Sequence, residues 1–153
     1  MKRSFYHRQF IPCAPEQVWA ALIQIEDWGR WNTLTARAPE GLEAGRRLKL
    51  VLQVGGRRLP VQAVLTEVRA GQALVWKGGV KGLFHAVHGF RLNRSGEGTF
   101  VEHFEDFQGA LVRPTFAWIA RNQEQTYGSV NARLAAFCLD RTSVQTGKPP
   151  SET

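Results

Sequence analysis

The 153-residue chain carries a formal net charge of +7, and 43% of its residues are hydrophobic, with five Trp and nine Phe. That length and composition fit one domain with a sizeable core and exclude a disordered chain. No stretch approaches the ~20 apolar residues of a membrane span and the opening residues lack a secretory apolar run, so a cytoplasmic protein without a membrane span is expected.

Residues 4–11 mix aromatic and polar positions as a strand does. Cys13 follows, one of two cysteines with Cys138; both read as free thiols, Cys13 as a small structural residue. Pro15 stands where a first helical residue belongs, Glu16 suits the positive end of the helix dipole, and Val18, Trp19, Leu22 and Ile23 follow at helical spacing. Asp27 is placed to cap a short second segment whose Trp28 and Trp31 share one side. After Gly41 and Gly45 the period becomes two. Leu48, Leu50, Leu52 and Val54 predict a strand with one buried face, and Gly55 with Gly56 a tight hairpin.

In the next strand, 57–69, Leu59, Val61, Ala63 and Leu65 share one parity while Val64 and Val68 share the other, which predicts a bulge near Val64 and Leu65. Ala70, Gly71 and Gln72 turn the chain into a strand at 74–77, and Gly78, Gly79 and Gly82 predict a loose connection. Segments 84–92 and 99–112 read as paired strands. From Pro114, Phe116, Ile119, Ala120, Gln123, Tyr127, Val130, Leu134 and Phe137 keep a 3.6 period. A single domain over 1–140 with a mobile tail over 141–153 is expected.

Strand, two short helices, a run of antiparallel strands and one long closing helix make an α+β domain. A curved sheet cannot bury its concave face alone, and only the last helix is long enough to cover it. The opening Ile11, Pro12, Cys13, Ala14, Pro15, Glu16, Gln17, Val18 and Trp19, followed by Trp28, Gly29, Arg30, Trp31 and Asn32, resembles the START-like (SRPBCC) superfamily. That superfamily groups polyketide cyclases and dehydratases with plant-type hydrophobic-ligand carriers. Leu74 with Trp76, and the segment Glu105, Asp106, Phe107, Gln108, Gly109, extend the resemblance over residues 4–138. It implies the helix-grip (START-like/Bet v 1-like) fold, a curved antiparallel sheet wrapped around a long C-terminal helix, with two short helices after the first strand.

On 84–92 the more apolar parity is Phe84, Ala86, His88, Phe90 and Leu92, which carries His88 inward. On the following strand both parities hold phenylalanines, and it is the resemblance that implies Val101, His103, Glu105 and Phe107 on the cavity side. Two histidines and a glutamate would then line one cavity. Burial raises a carboxylate's pKa and a cationic neighbour lowers it, so a Glu–His pair can move a proton near neutral pH. Equally, these groups can simply hydrogen-bond one another, since buried polar atoms need partners. His88, His103 and Glu105 could offer three ligands, but no close-spaced His or Cys motif supports zinc; no metal and no cofactor is expected. Nor is there a nucleophile elbow, a phosphate-binding loop or a dinucleotide fingerprint.

Trp31 is placed to close one end of the cavity, Trp76 points inward beside Leu74, and Gln123 and Tyr127 add polar tips on the long helix. The expected lining is Trp31, Trp76, His88, Phe90, His103, Glu105, Phe107, Gln123 and Tyr127, entered between 27–32 and 78–82. The leading expectation is binding of a small, largely apolar ligand (aromatic, polyketide-like or lipid-like). One alternative is a cyclase or dehydratase, lyase-type, with His103 and Glu105 as acid and base. Another is an interaction module. Between Arg46 and Arg94 lie ten basic residues and one acidic residue, Glu67, and period two turns Lys49, Lys77 and Arg91 outward. Such a face suits an acidic partner (nucleic acid, a carrier protein or an anionic membrane surface), and charge alone does not choose among them. An acidic protein is the partner expected and nucleic acid is not, while a merely solvated basic surface is the plainer account of the same charges.

Overall fold

The computed structural model describes residues 3–54, 56–80 and 82–146; side chains at 54, 115, 118, 119, 121–125, 145 and 146 fall outside the description. Chain order is β1 (Arg3–Ile11), α1 (Pro15–Ile23), a 3-10 helix (Ile25–Arg30), β2 (Leu34–Arg37), β3 (Arg47–Val54), β4 (Arg57–Arg69), β5 (Ala73–Val80), β6 (Phe84–Ser95), β7 (Gly98–Gln108) and α2 (Val112–Thr146). The strands form one antiparallel sheet in the order β1-β7-β6-β5-β4-β3-β2. With α2 packed on β1, β7 and α1, this is the helix-grip arrangement expected from the sequence. Among the described residues, no helix is long and apolar enough to cross a membrane.

Local chemistry explains the elements and where they depart from expectation. Pro15 opens α1, and the Gln17 side chain accepts the Ala14 N–H at 2.9 Å. Asp27 does not cap the second helix, which starts at Ile25 with Gln24 before it. Trp28 Nε1 donates to the Leu22 carbonyl at 2.9 Å, so a carbonyl left over at the end of α1 fixes the second helix directly. The unpredicted β2 alternates buried Leu34 and Ala36 with exposed Thr35 and Arg37, a run too short to announce a period. Val54 of β3 pairs with Arg57 of β4 around the expected hairpin, of which Gly55 lies outside the described residues.

The bulge falls between Leu65 and Glu67, just beyond the predicted place, with Thr66 as the extra residue. Its hydroxyl donates to the Val75 carbonyl at 3.2 Å. Ala63 and Leu65 before the bulge, and Val68 after it, therefore all reach the core, while Val64 pairs with exposed Lys77 on the outer face.

Gly78 and Gly79 are not a loose connection: they extend β5, paired with Ala86 and His85. Gly79 sits at φ +107, and a Cβ there would lie 2.4 Å from the Phe84 carbonyl oxygen. Glycine is required here for close approach, not for mobility. Gly79→Ala should cost about 1–3 kcal/mol in chemical denaturation. An unchanged denaturation midpoint would show that β5 does not run through this position.

Strand β7 ends at Gln108, before the predicted 112, and α2 starts ahead of Pro114 at Val112 and runs through Thr146. Positions 141–146, assigned to the tail by sequence, are therefore helical; the rest of that tail, 147–153, lies outside the described residues. Most buried side chains form one cluster, from Ile11 and α1 through the sheet to Val130, Leu134 and Phe137 of α2. A second, smaller cluster gathers Phe107 and Val112 with half-buried Phe5, Phe84, Ala86 and Phe116. Cys13 and Cys138 are free and buried, and burial, with Cys13 nearby, pushes the Cys138 thiol up to about 12. Ellman's reagent should titrate neither thiol in the native protein and both after denaturation; rapid labelling of native protein would contradict this packing.

Candidate functional site

Cross-strand register sets inward residues in rows. Trp76 of β5 lies opposite His88 of β6, which lies opposite Glu105 of β7, which lies opposite Phe5 of β1. The next row holds Leu74, Phe90, His103 and His7. Along each element the polar residue falls between the two apolar clusters: His88 between Phe90 and Ala86, His103 and Glu105 between Val101 and Phe107, His7 between Ile11 and Phe5. From α2, Tyr127 and Asn131, four residues apart on one helix face, meet this belt.

The polar groups form one chain. Asn131 Oδ1 lies 3.0 Å from His103 Nδ1, and His103 Nε2 lies 2.6 Å from His88 Nε2. His88 Nδ1 stands 3.6 Å from Glu105 Oε1, and the Tyr127 hydroxyl donates to Glu105 Oε2. Flat rings pack the flanks: Trp76 stacks on His88 at 4.6 Å and 19°, Phe90 on His103 at 4.3 Å and 25°. Burial holds the His103 imidazole well below its ordinary value; His88 and His7 act in the same direction, against the Asn131 bond. His103 is thus a neutral ring at neutral pH. Among the described residues, no group of three or more His, Cys, Asp or Glu side chains is placed to hold a metal ion.

Most of the predicted lining comes together here. Trp31, Trp76, Phe90, His103 and Tyr127 are buried, as is His88, with Glu105 half-buried beside them. Phe107 belongs to the smaller cluster, and the Gln123 side chain lies outside the described residues. The entrance expected at 27–32 is not supported by the packing: Trp28 and Trp31 are fully buried, within 5.9 Å of each other, and Trp28 is 5.2 Å from Trp76. Glu105 pairs with His88 rather than His103, because the register puts His88 directly across from it.

Sequence reasoning missed Asn131 and His7. A polar residue four positions after Tyr127 was the available signal for the first; the second needs the β1–β7 register. Asn131 Nδ2 and Trp31 Nε1 are buried without a partner among the described residues. Outside the sheet Lys49, Lys77 and Arg91 are exposed as expected, although Arg91 lies 3.7 Å from Glu67 and over the Phe104 ring. A recess of about 270 Å³ at Pro39, Glu40, Arg47, Leu48, Lys49 and Gln62 contains none of the belt.

Over residues 2–137 the chain matches the family described as polyketide cyclase / dehydrase and lipid transport. The chain belongs to that family. No curated protein matches it in sequence. Among solved structures this polyketide cyclase / dehydrase family member is similar to the Zhui aromatase/cyclase from Streptomyces sp. R1128, at 11% identity and TM-score 0.76 over 93% of this chain and 96% of that one. TTHA0849 from Thermus thermophilus gives 15% and 0.73, over 92% and 100%. Ara h 8.0201 gives 12% and 0.71, over 92% and 99%. At these identities the likeness is one of fold, shared by an aromatase/cyclase and by Ara h 8.0201 alike.

Proposed function

We propose that the chain binds a small, largely apolar molecule between the sheet and the N-terminal half of α2, with the molecule's polar end at Glu105, His88 and Tyr127. The carrying observation is the hydrogen-bonded polar belt held between two apolar clusters, where the His88 and Glu105 side chains keep 11% and 13% exposure. A few fixed polar groups in an apolar frame are the composition of a small-molecule site. Phe5, Phe84 and Phe107 supply walls on one side; Trp76, Phe90 and Trp31 close the other. The family description and the aromatase/cyclase neighbour support an aromatic, polyketide-like or lipid-like ligand.

A second reading is favoured by the Glu105–His88 contact. In a cyclase- or dehydratase-type reaction, Glu105 and His88 would touch the substrate and exchange its proton. His103, with both nitrogens engaged, would act only behind His88.

Titrating the protein with aromatic and fatty-acyl probes under amide NMR should reveal one saturable site, with shifts at Glu105, Tyr127 and the first half of α2. Glu105→Ala should weaken binding about tenfold, the loss of one hydrogen bond. Shifts confined to the outer sheet face, or no saturable binding by any probe, would overturn the assignment. Turnover abolished by Glu105→Ala and His88→Ala with binding retained would favour the enzyme.

A further inference from the structure

Building on the ligand site proposed above, we propose that Asn131 is a positioning residue that acts through His103 to aim His88 Nδ1 at Glu105, and that the His88–Glu105 gap receives a hydroxyl group of the ligand. The chain of bonds has a direction. Asn131 Oδ1 can only accept, so the proton of the neutral His103 ring sits on Nδ1. His103 Nε2 is then an acceptor, and at 2.6 Å its partner His88 Nε2 must be the donor. The nitrogen of His88 left for the site is Nδ1, which faces Glu105 Oε1.

That last separation, 3.6 Å, is too long for a hydrogen bond. Glu105 Oε2 already accepts from Tyr127, whereas among the described residues Oε1 faces the His88 ring. Both side chains of the gap keep some exposure, while Trp76 and Phe90 around them are 2% and 0% exposed. An oxygen at ~2.8 Å from both atoms would stand to one side of the line joining them. A hydroxyl both donates and accepts, so it can give its proton to Glu105 Oε1 and take one from a His88 Nδ1–H. An ether or ketone can only accept and leaves one of the two atoms unpaired; a hydrocarbon leaves both. The ligand class is therefore an alcohol or phenol on an apolar body.

Nitrogen NMR of the imidazole rings tests the direction without any ligand. His103 should be protonated at Nδ1 and His88 at Nε2. Asn131→Leu should remove the Nδ1 preference of His103, and Asn131→Asp, which keeps an acceptor, should retain it. His103 protonated at Nε2 in the native protein, as an Asn131 amide turned the other way would require, overturns the positioning role. Titration with naphthol, methoxynaphthalene and naphthalene tests the gap. Naphthol should bind about tenfold tighter than either analogue, a margin that vanishes in Glu105→Leu. Equal binding of all three would overturn the hydroxyl assignment and leave the apolar site standing. Failure of all three to bind would overturn site and hydroxyl together, with the ring tautomers still deciding the role of Asn131.

Discussion

Trp28→Ala should lower the unfolding free energy by about 3–5 kcal/mol, the range for deleting a buried aromatic ring. The Trp28 ring is fully buried, lies between Trp31 and Trp76, and gives its indole N–H to the Leu22 carbonyl. Alanine leaves a void where three elements meet and a carbonyl without its donor. Domains of this kind hold only about 5–15 kcal/mol in total, so the loss is a large fraction of the stability. Trp28→Phe separates the two losses: it keeps most of the packing and forfeits the hydrogen bond, for about 1–3 kcal/mol. Denaturant titration followed by circular dichroism measures both. A Trp28→Ala protein as stable as the parent would mean that the short helix is not anchored through this ring.

Stability should fall as pH falls below 6.5, and His103 should account for a distinct share of the slope. Its folded value is depressed, chiefly by burial, from the ordinary 6.5. Above 6.5 neither folded nor unfolded chain binds this proton, and the contribution is level. Between 6.5 and the depressed value the unfolded chain binds a proton that the folded chain refuses, which removes up to about 1.4 kcal/mol per pH unit. Its neighbours in the belt are His88 on β6, His7 on β1 and Asn131 on α2. His103→Phe, stacked in the same place against Phe90, should flatten the slope relative to the parent. Identical slopes for the two proteins would show that His103 is protonated in the fold at no cost.

What the sequence disclosed follows from how local each feature is. Pro15 opening α1, the period-two face of β3 and the inward parity of His88 are properties of adjacent residues, and they stand in the structure. Strand β7 defeated periodicity because Phe100 and Phe104 face outward under guanidinium groups, Arg8 at 3.8 Å from one ring and Arg91 at 4.5 Å from the other. Covered in that way, an outward phenylalanine imitates a core residue, and only the family resemblance implied the facing of His103 and Glu105. Which histidine meets Glu105 is a matter of cross-strand register, invisible in one strand's composition. Gly78 and Gly79 misled for another reason: glycine marks both mobile hinges and tight backbone approaches, and only the neighbouring strand tells them apart.

Pairing of the first strand with the last has a kinetic consequence. Arg3 lies opposite Phe107 and Ile11 opposite Thr99, so β1 meets its partner only after almost the whole sheet has been synthesised. Every other strand pair joins sequence neighbours across a turn or short connection and can form as the chain emerges. Loop-closure entropy makes the long-range pairing the slow one. Phe5 and Ile11, inward apolar residues of β1, therefore wait in solvent while the hairpins assemble. The strand made first is the last to be installed, and the polar belt, which needs His7 and α2 in place, is completed with it.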